Sequence, residues 1–246
     1  MRHQVIYLIA ALIVISILAV PTHGFQKIDK NDRTMVCSNG CLSPKLKTKE
    51  KLVKSVLVLP AQVEMTKQGV KGSEGMAREA EEVSVKLREA VAKALEQKGL
   101  KLASSTMNDK TLNEDSELRA AVSSVQKRYD TVAIQLKKKP KDVNKGRFTL
   151  GDEVGSFTPA ASSDALVFIR ARGGQETKGK AFLTGGGLLG MALAGTYIQF
   201  SISLVDSQTG AVLYTAGSFV RLKDNDLPKG MAKSLSRMFK KLPSGS

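Results

Sequence analysis

The sequence predicts an α+β fold: one mixed sheet of about five strands with helices mainly on one face, in the order β-α-β-α-β-β-β-α. Three observations predict it. Two long stretches repeat apolar residues at three- and four-residue steps, the signature of helices with one buried stripe. Residues 197–205 alternate, with Ile198, Phe200, Ile202 and Leu204 facing one way and Gln199, Ser201 and Ser203 the other, as a strand does when one face is buried and the other wet. Short apolar runs elsewhere are bounded by Pro, Gly or Asp, which read as buried strands and their turns.

Each element follows in order. Ser55-Val-Leu-Val-Leu-Pro60 is a buried strand stopped by proline. Gly69, Gly72 and Gly75 punctuate a loop, and the first helix then carries Met76, Ala80, Val83, Leu87, Ala90, Val91, Ala94 and Leu95 on one face. Gly99 is placed to terminate it. Leu100–Ala103 is a second short strand. The second helix aligns Leu118, Ala121, Val122, Val125, Tyr129, Val132 and Leu136, and ends in Lys137-Lys138-Lys139 before Pro140. A basic last turn complements the helix dipole, and proline stops the helix. Residues 141–163 carry no regular pattern. Strands are expected at 164–172, 197–205 and 211–220, the last two joined by the turn Asp206-Ser-Gln-Thr-Gly210. Asp226 would cap a final helix with Pro228 in its first turn and Leu227, Met231, Leu235, Met238 and Leu242 on its apolar stripe.

The amino terminus bears on compartment. Arg2 precedes an apolar run from Val5 to Val20 broken only by Ser16, and Pro21 to Gly24 then supply a helix breaker and small residues. This pattern reads as a secretory signal peptide, residues 1–24, cleaved after Gly24. The alternative is an uncleaved membrane anchor, although 16 residues fall short of the roughly 20 that span a bilayer. Residues 25–54 are polar and basic and read as a leader or linker without a core face. Cys37 and Cys41 flank Asn39-Gly40, and in an oxidising compartment they are expected to form a disulfide around that turn. Cys37 stands far beyond the apolar run, which disfavours lipidation. Residues 55–242 form a single domain with a Gly-rich insertion at 173–195.

The strand Val56–Pro60, the helix closing on Leu95 and Gly99, the run Asp164-Ala-Leu-Val167, and Leu204-Val-Asp206 followed by Thr209-Gly210 and Val212-Leu213 together carry a resemblance. From about Ser55 to Leu242 the chain resembles the bacterial envelope domain shared by the curli secretion-channel lipoprotein, the amino-terminal part of TolB and the penicillin-binding-protein activator lipoproteins. Two departures stand out: the lipidated cysteine is missing, and Tyr214 stands where many of those lipoproteins carry Trp. The resemblance implies the α+β fold and action by binding or assembly. It implies no catalytic residues.

The residues themselves narrow the chemistry. The two histidines, His3 and His23, both precede the expected cleavage point, so the mature chain would contain none. That removes Ser-His-Asp and Cys-His catalysis and histidine-ligated metal sites, and two cysteines cannot make a four-thiolate zinc site. No cofactor and no catalytic residue is expected. Asp152-Glu153 and Asp164 are the carboxylates a remote hydrolase reading would use; adjacent loop acids do not set the separation glycoside hydrolysis requires. Gly174–Lys180 imitates a phosphate-binding loop, but Ala181 occupies the place of the Mg²⁺-binding hydroxyl. Gly185–Gly190 matches a dinucleotide fingerprint without its strand–turn–helix setting.

Two features remain for recognition. Lys127, Arg128, Lys137, Lys138, Lys139, Lys141, Lys145 and Arg147 stand against only Asp130 and Asp142, a candidate anion-binding patch within a chain of net charge +15. Residues 181–205 carry no charge, and Gly186, Gly190 and Ala194 recur at four-residue spacing. With Leu188, Leu189 and Leu193 they are candidates for self-association or membrane contact. The expected function is therefore that of an exported periplasmic or envelope-associated protein that binds or scaffolds without catalysis. Its partners would be envelope proteins, anionic lipid or wall polymer. The alternative is a membrane-associated, channel-like homo-oligomer using 181–195. Aromatics make up only 5% of the chain, which disfavours nucleic acid as a partner.

Overall fold

The computed structural model describes residues 37–69, 72–103, 107, 109–176, 196–222 and 227–245. The expected signal peptide and the first part of the leader lie outside these residues. So do the insertion positions Gly186, Leu188, Leu189, Gly190, Leu193 and Ala194, and the helix-capping position Asp226.

The elements in chain order are β1 (Cys41–Leu42), α1 (Pro44–Lys47), β2 (Ser55–Val58), β3 (Gln62–Gly69), β4 (Gly72–Gly75), α2 (Ala77–Glu96), β5 (Lys101–Leu102), α3 (Asp109–Glu114) and α4 (Ser116–Lys138). Three 3₁₀ segments follow at 140–145, 152–156 and 158–162, then β6 (Ala165–Glu176), β7 (Thr196–Asp206), β8 (Val212–Leu222) and α5 (Leu227–Met238). The fold is mixed α+β, with all eight expected elements present. The sheet has eight strands where about five were expected: β1, β3 and β4 are added.

The strand order is β1-β8-β7-β6-β2-β5, and β6 organises it. Its first residues pair in parallel with β2, Val56 opposite Ala165, and its later residues pair in parallel with β3, Gln62 opposite Arg170. Pro60 separates the two partners because it has no N–H to give a ladder. The loop expected around Gly69 and Gly72 is instead the tip of a β3–β4 hairpin. Its sequence is mostly polar because β4 is wholly exposed, and Met65 is the one fully buried side chain of β3. On the other side of β6 runs the long antiparallel β6–β7–β8 meander.

Both faces of the sheet are packed. Val56, Val58, Ala165, Val167, Ile169, Ile198, Phe200, Ile202 and Leu204 meet α2 through Val83, Leu87, Val91 and Leu95, and α5 through Met231, Leu235 and Met238. Leu57, Leu59, Leu166, Phe168 and Val205 point the opposite way and meet α4 through Val122, Val125, Tyr129 and Leu136. The unbroken apolar runs at 56–59 and 165–169 encode this double cover, since a strand buried on both faces needs no alternation. The polar face of β7 is covered at one end and open at the other. Ser203 is buried beneath Tyr129, whereas Gln199 and Ser201 remain half-exposed.

The helix ends close as their residues dictate. Gly99, at φ +79°, lets the Leu100 N–H reach the Leu95 carbonyl at 3.1 Å, the crossing bond of a Schellman cap. The Asp115 carboxylate accepts from the Leu118 N–H at 2.8 Å and caps α4.

The segment expected to be a core-free linker is a correction for its described part. Leu42, Leu46 and Val53 are buried in the same core as α2 and α5, and the Ser43 hydroxyl caps α1. Lys51 Nζ sits 2.8 Å from the Asp206 carboxylate. Leu42, Leu46 and Val53 are spaced like one face of a helix, yet they lie on β1, on α1 and on the loop before β2, so spacing does not give their common destination. The expected Cys37–Cys41 disulfide is formed, with Cα atoms 5.2 Å apart. Gly40, at φ +86°, brings the loop directly onto the Tyr214 ring, where any Cβ would collide.

Candidate functional site

The predicted basic residues are all exposed but do not form one surface with one character. Lys127 and Arg128 lie in the middle of α4, and Arg128 pairs with Glu153. Lys137 and Lys138 occupy its last turn, and Pro140 turns the chain into the 3₁₀ segment that carries Lys141 and Lys145. Lys145 and Arg147 both lean on Asp142, at 3.3 and 3.7 Å. Lys137, Lys138, Lys139 and Lys141 therefore gather at the end of α4 over solvent, with Lys127 about 15 Å back along the helix axis. The large apolar side chain exposed beside them is Ile134, one turn before Lys137 and Lys138.

The candidate carboxylates have structural employment. One oxygen of Asp164 accepts from the Lys54 and Ser55 N–H groups at 2.8 and 2.9 Å and from the Ser55 hydroxyl at 3.0 Å. Burial works against its charge, but these donors and Lys51 outweigh it and hold the carboxyl below its ordinary pKa. Asp206 is similar. Burial opposes its ionisation, while Lys51 and the amides of Thr209 and Gln208 hold the carboxyl low. Its turn is the one expected from the sequence, with Gly210 at φ +66° packed against the Gly151 backbone. Asp152 and Glu153 are exposed on a 3₁₀ turn, and Glu153 is taken by Arg128. Tyr129 is buried against Phe168, donates to Ser203 Oγ at 2.8 Å, and has its pKa pushed up to about 12 by that burial. It stays protonated at neutral pH and serves packing.

A different place combines charge with apolar surface. Between α2 and α5 runs a groove of about 850 Å³. Ala90 and Ala94 form one wall, Ala232 and Ser236 the other, and Met231, Leu235 and Phe239 lie beneath. The last three are each 1% exposed, so the trough is shallow and its bottom is the core itself. Lys86, Lys93, Lys98 and Lys240 edge it against a single acid, Glu89.

The fold holds this groove open at a fixed width. The buried stripe of α2 at 83, 87, 91 and 95 and that of α5 at 231, 235 and 238 both grip the sheet. Beyond α5, the 3₁₀ turn Phe239–Lys241 leads to a tail whose Gly245 N–H donates to the Lys98 carbonyl at 3.0 Å, so the carboxyl ends of the two helices meet. Lys98 and Lys240 sit where those two dipoles place partial negative charge. Tyr214 fixes the same end from below: its hydroxyl donates to the Met238 carbonyl and its ring lies 6.2 Å from Phe239.

Sequence reasoning missed this site. The pattern of α2 points only to its apolar stripe. The available signal was Lys86 and Lys93, seven residues apart and on one side of Ala90 and Ala94, but only α5 makes that face a wall.

Among the described residues, no group of three or more His, Cys, Asp and Glu side chains is placed to hold a metal ion. No described helix is long and apolar enough to cross a membrane. No family model matches the chain, and no curated protein matches it. Among solved structures, the fold is similar to a PelC dodecamer from Paraburkholderia phytofirmans, with 8% identity over 78% of this chain and 89% of that one, at a TM-score of 0.39. It is likewise similar to lipoprotein GNA1162 from Neisseria meningitidis, with 14% identity over 74% of this chain and 91% of that one, again at 0.39.

Proposed function

We propose that this chain is an exported bacterial envelope protein that binds or scaffolds anionic partners and catalyses no reaction. The observation that carries the binding reading is the α2–α5 groove, where lysines without ion pairs among the described residues edge an apolar trough. Charge alone attracts any polyanion; charge beside apolar surface also rewards a partner that covers it. The fate of the acids supports a non-catalytic role. Asp164 and Asp206 are committed to amides and Lys51, and Glu153 to Arg128. Export is supported by the apolar run at 5–20 and by a disulfide at Cys37–Cys41, a bond that persists in oxidising compartments.

The amino-terminal sequence of protein recovered from cell fractions tests the compartment. A product beginning at Phe25 in the envelope fraction is the expected result, and Met1 on a cytoplasmic product overturns it. The double change Asp152→Asn, Glu153→Gln tests the absence of catalysis: it should leave any phenotype of the wild-type gene intact.

A further inference from the structure

We propose that the occupant of the α2–α5 groove is an acidic amphipathic helix of a partner protein, laid along the trough with its apolar face down. The proposal rests on the binding reading above and gives it a partner class.

Charge complementarity supplies the sign. Lys86, Lys93, Lys98 and Lys240 border the groove and Glu89 is the only acid on its lining. None of the four lysines has an ion pair among the described residues, so a partner's carboxylates displace no existing pairing. A second copy of this chain would bring the same lysines and a net charge of +15, which sets like charge against like.

Geometry supplies the shape. Lys86 and Lys93 are separated by about 10 Å along α2, and Lys98 follows just beyond its end, a span that a helix of about three turns covers. The walls present methyl groups at Ala90, Ala94 and Ala232, which lets another helix approach the gap between α2 and α5 closely. The bottom is closed by Met231, Leu235 and Phe239, all essentially inaccessible. An acyl chain needs a slot to enter, and this trough offers breadth without depth.

Backbone chemistry supplies the secondary structure. Both walls are helices whose N–H and C=O groups are satisfied internally, so an extended peptide would find no main-chain partner along them. A helix brings its own backbone bonds already made and needs only side-chain contact, as in helix-in-groove recognition.

The test uses the full-length protein and a labelled peptide of about fourteen residues, with Leu and Ala on one face and Glu on the other, beside a counterpart with Lys for Glu. Anisotropy should show the acidic peptide binding at least about tenfold tighter than the basic one, and weakening as salt rises from about 50 to 300 mM. Its far-UV spectrum should gain helix on binding. Lys86→Glu with Lys93→Glu should cost at least about tenfold, and Lys137→Glu with Lys138→Glu less than about threefold. Ala232→Trp, at an exposed wall position, should block the groove without touching the core, and unchanged thermal unfolding of each variant confirms that the fold survives.

Equal binding of the two peptides overturns the proposal, as does binding that ignores Ala232→Trp. Phosphatidylglycerol vesicles that bind through the groove while the peptide does not would assign it to lipid. A concentration-dependent dimer abolished by Ala232→Trp would assign it to self-association. In either of these cases the broader binding reading stands while the helix proposal falls; failure of export is read separately, from the amino-terminal sequence.

Discussion

The end of α4 and the α2–α5 groove are both lysine-rich, lie on opposite faces of the sheet, and differ in what separates their charges. At the end of α4, Lys137, Lys138, Lys139 and Lys141 stand over solvent beside a proline turn; Val122, Val125, Tyr129 and Leu136 point inward, while Ile134 is left exposed one turn before the lysines. In the groove, Lys86 and Lys93 stand on α2, Lys98 just beyond its end and Lys240 on the turn after α5, beside alanines of both helices and with the core at the bottom. The first surface offers Coulomb attraction, which salt screens within about 8–10 Å, with one exposed isoleucine, Ile134, beside it. The second offers the same attraction together with apolar area worth about 25 cal/mol per Å² covered. Positive charge alone thus does not distinguish the two surfaces. Lys51 supplies a third case, a lysine committed to Asp206 and to holding the amino-terminal segment on the sheet.

The largest way to break the comparison is through the groove's bottom. Leu235→Ala should destabilise the protein by about 2–5 kcal/mol, because Leu235 is buried between α5 and the sheet. Urea unfolding measures the loss, and an unchanged midpoint would show that the groove is detachable from the core.

Asp206→Asn should cost roughly 1–3 kcal/mol by removing the charged partner of Lys51 while keeping an acceptor for the turn amides. The pH dependence has a definite sign. Asp206 and Asp164 both titrate below their ordinary values in the folded chain, so their contribution is complete above the unfolded carboxyl pKa of about 3.9 and is lost as pH falls through the folded values. Thermal unfolding temperature should therefore be insensitive to these groups between about pH 5 and 7 and fall below about pH 4, with a shallower fall in Asp206→Asn.

Tyr214→Phe should cost about 1 kcal/mol, measured by the same urea titration, since it strands the Met238 carbonyl at the closed end of the groove. It should also weaken peptide binding in the groove more than Lys137→Glu with Lys138→Glu does, which sharpens the contrast between the two surfaces. Smallest of all, Lys138→Ala should change stability by less than about 0.5 kcal/mol, because its side chain is exposed and unpaired. A larger shift would mean that the α4 end is held by its lysines after all.

Much of this molecule was legible in one dimension, for a particular reason in each case. Helices α2 and α4 follow from buried stripes four residues apart, the end of α2 from Gly99, and β7 from alternation. The Asp206–Gly210 turn follows from an Asx acceptor and a glycine with positive φ. The β3–β4 hairpin was illegible because Val63 and Met65 are its only apolar residues, too few to set an alternation, and pairing with the far half of β6 makes β3 a strand. Asp164 looked like a possible catalytic acid until Ser55, more than a hundred positions earlier, was brought to it.

The sequence by itself determined the class of fold, the order of its main elements, the disulfide and the surplus of positive charge, because each depends on spacing along the chain or on simple counting. Only the tertiary structure decided that residues 41–53 belong to the core, that both faces of the sheet are covered, and which lysines border an apolar surface. Those facts depend on pairs of residues far apart in sequence, and local pattern carries no information about where the opposite wall will stand.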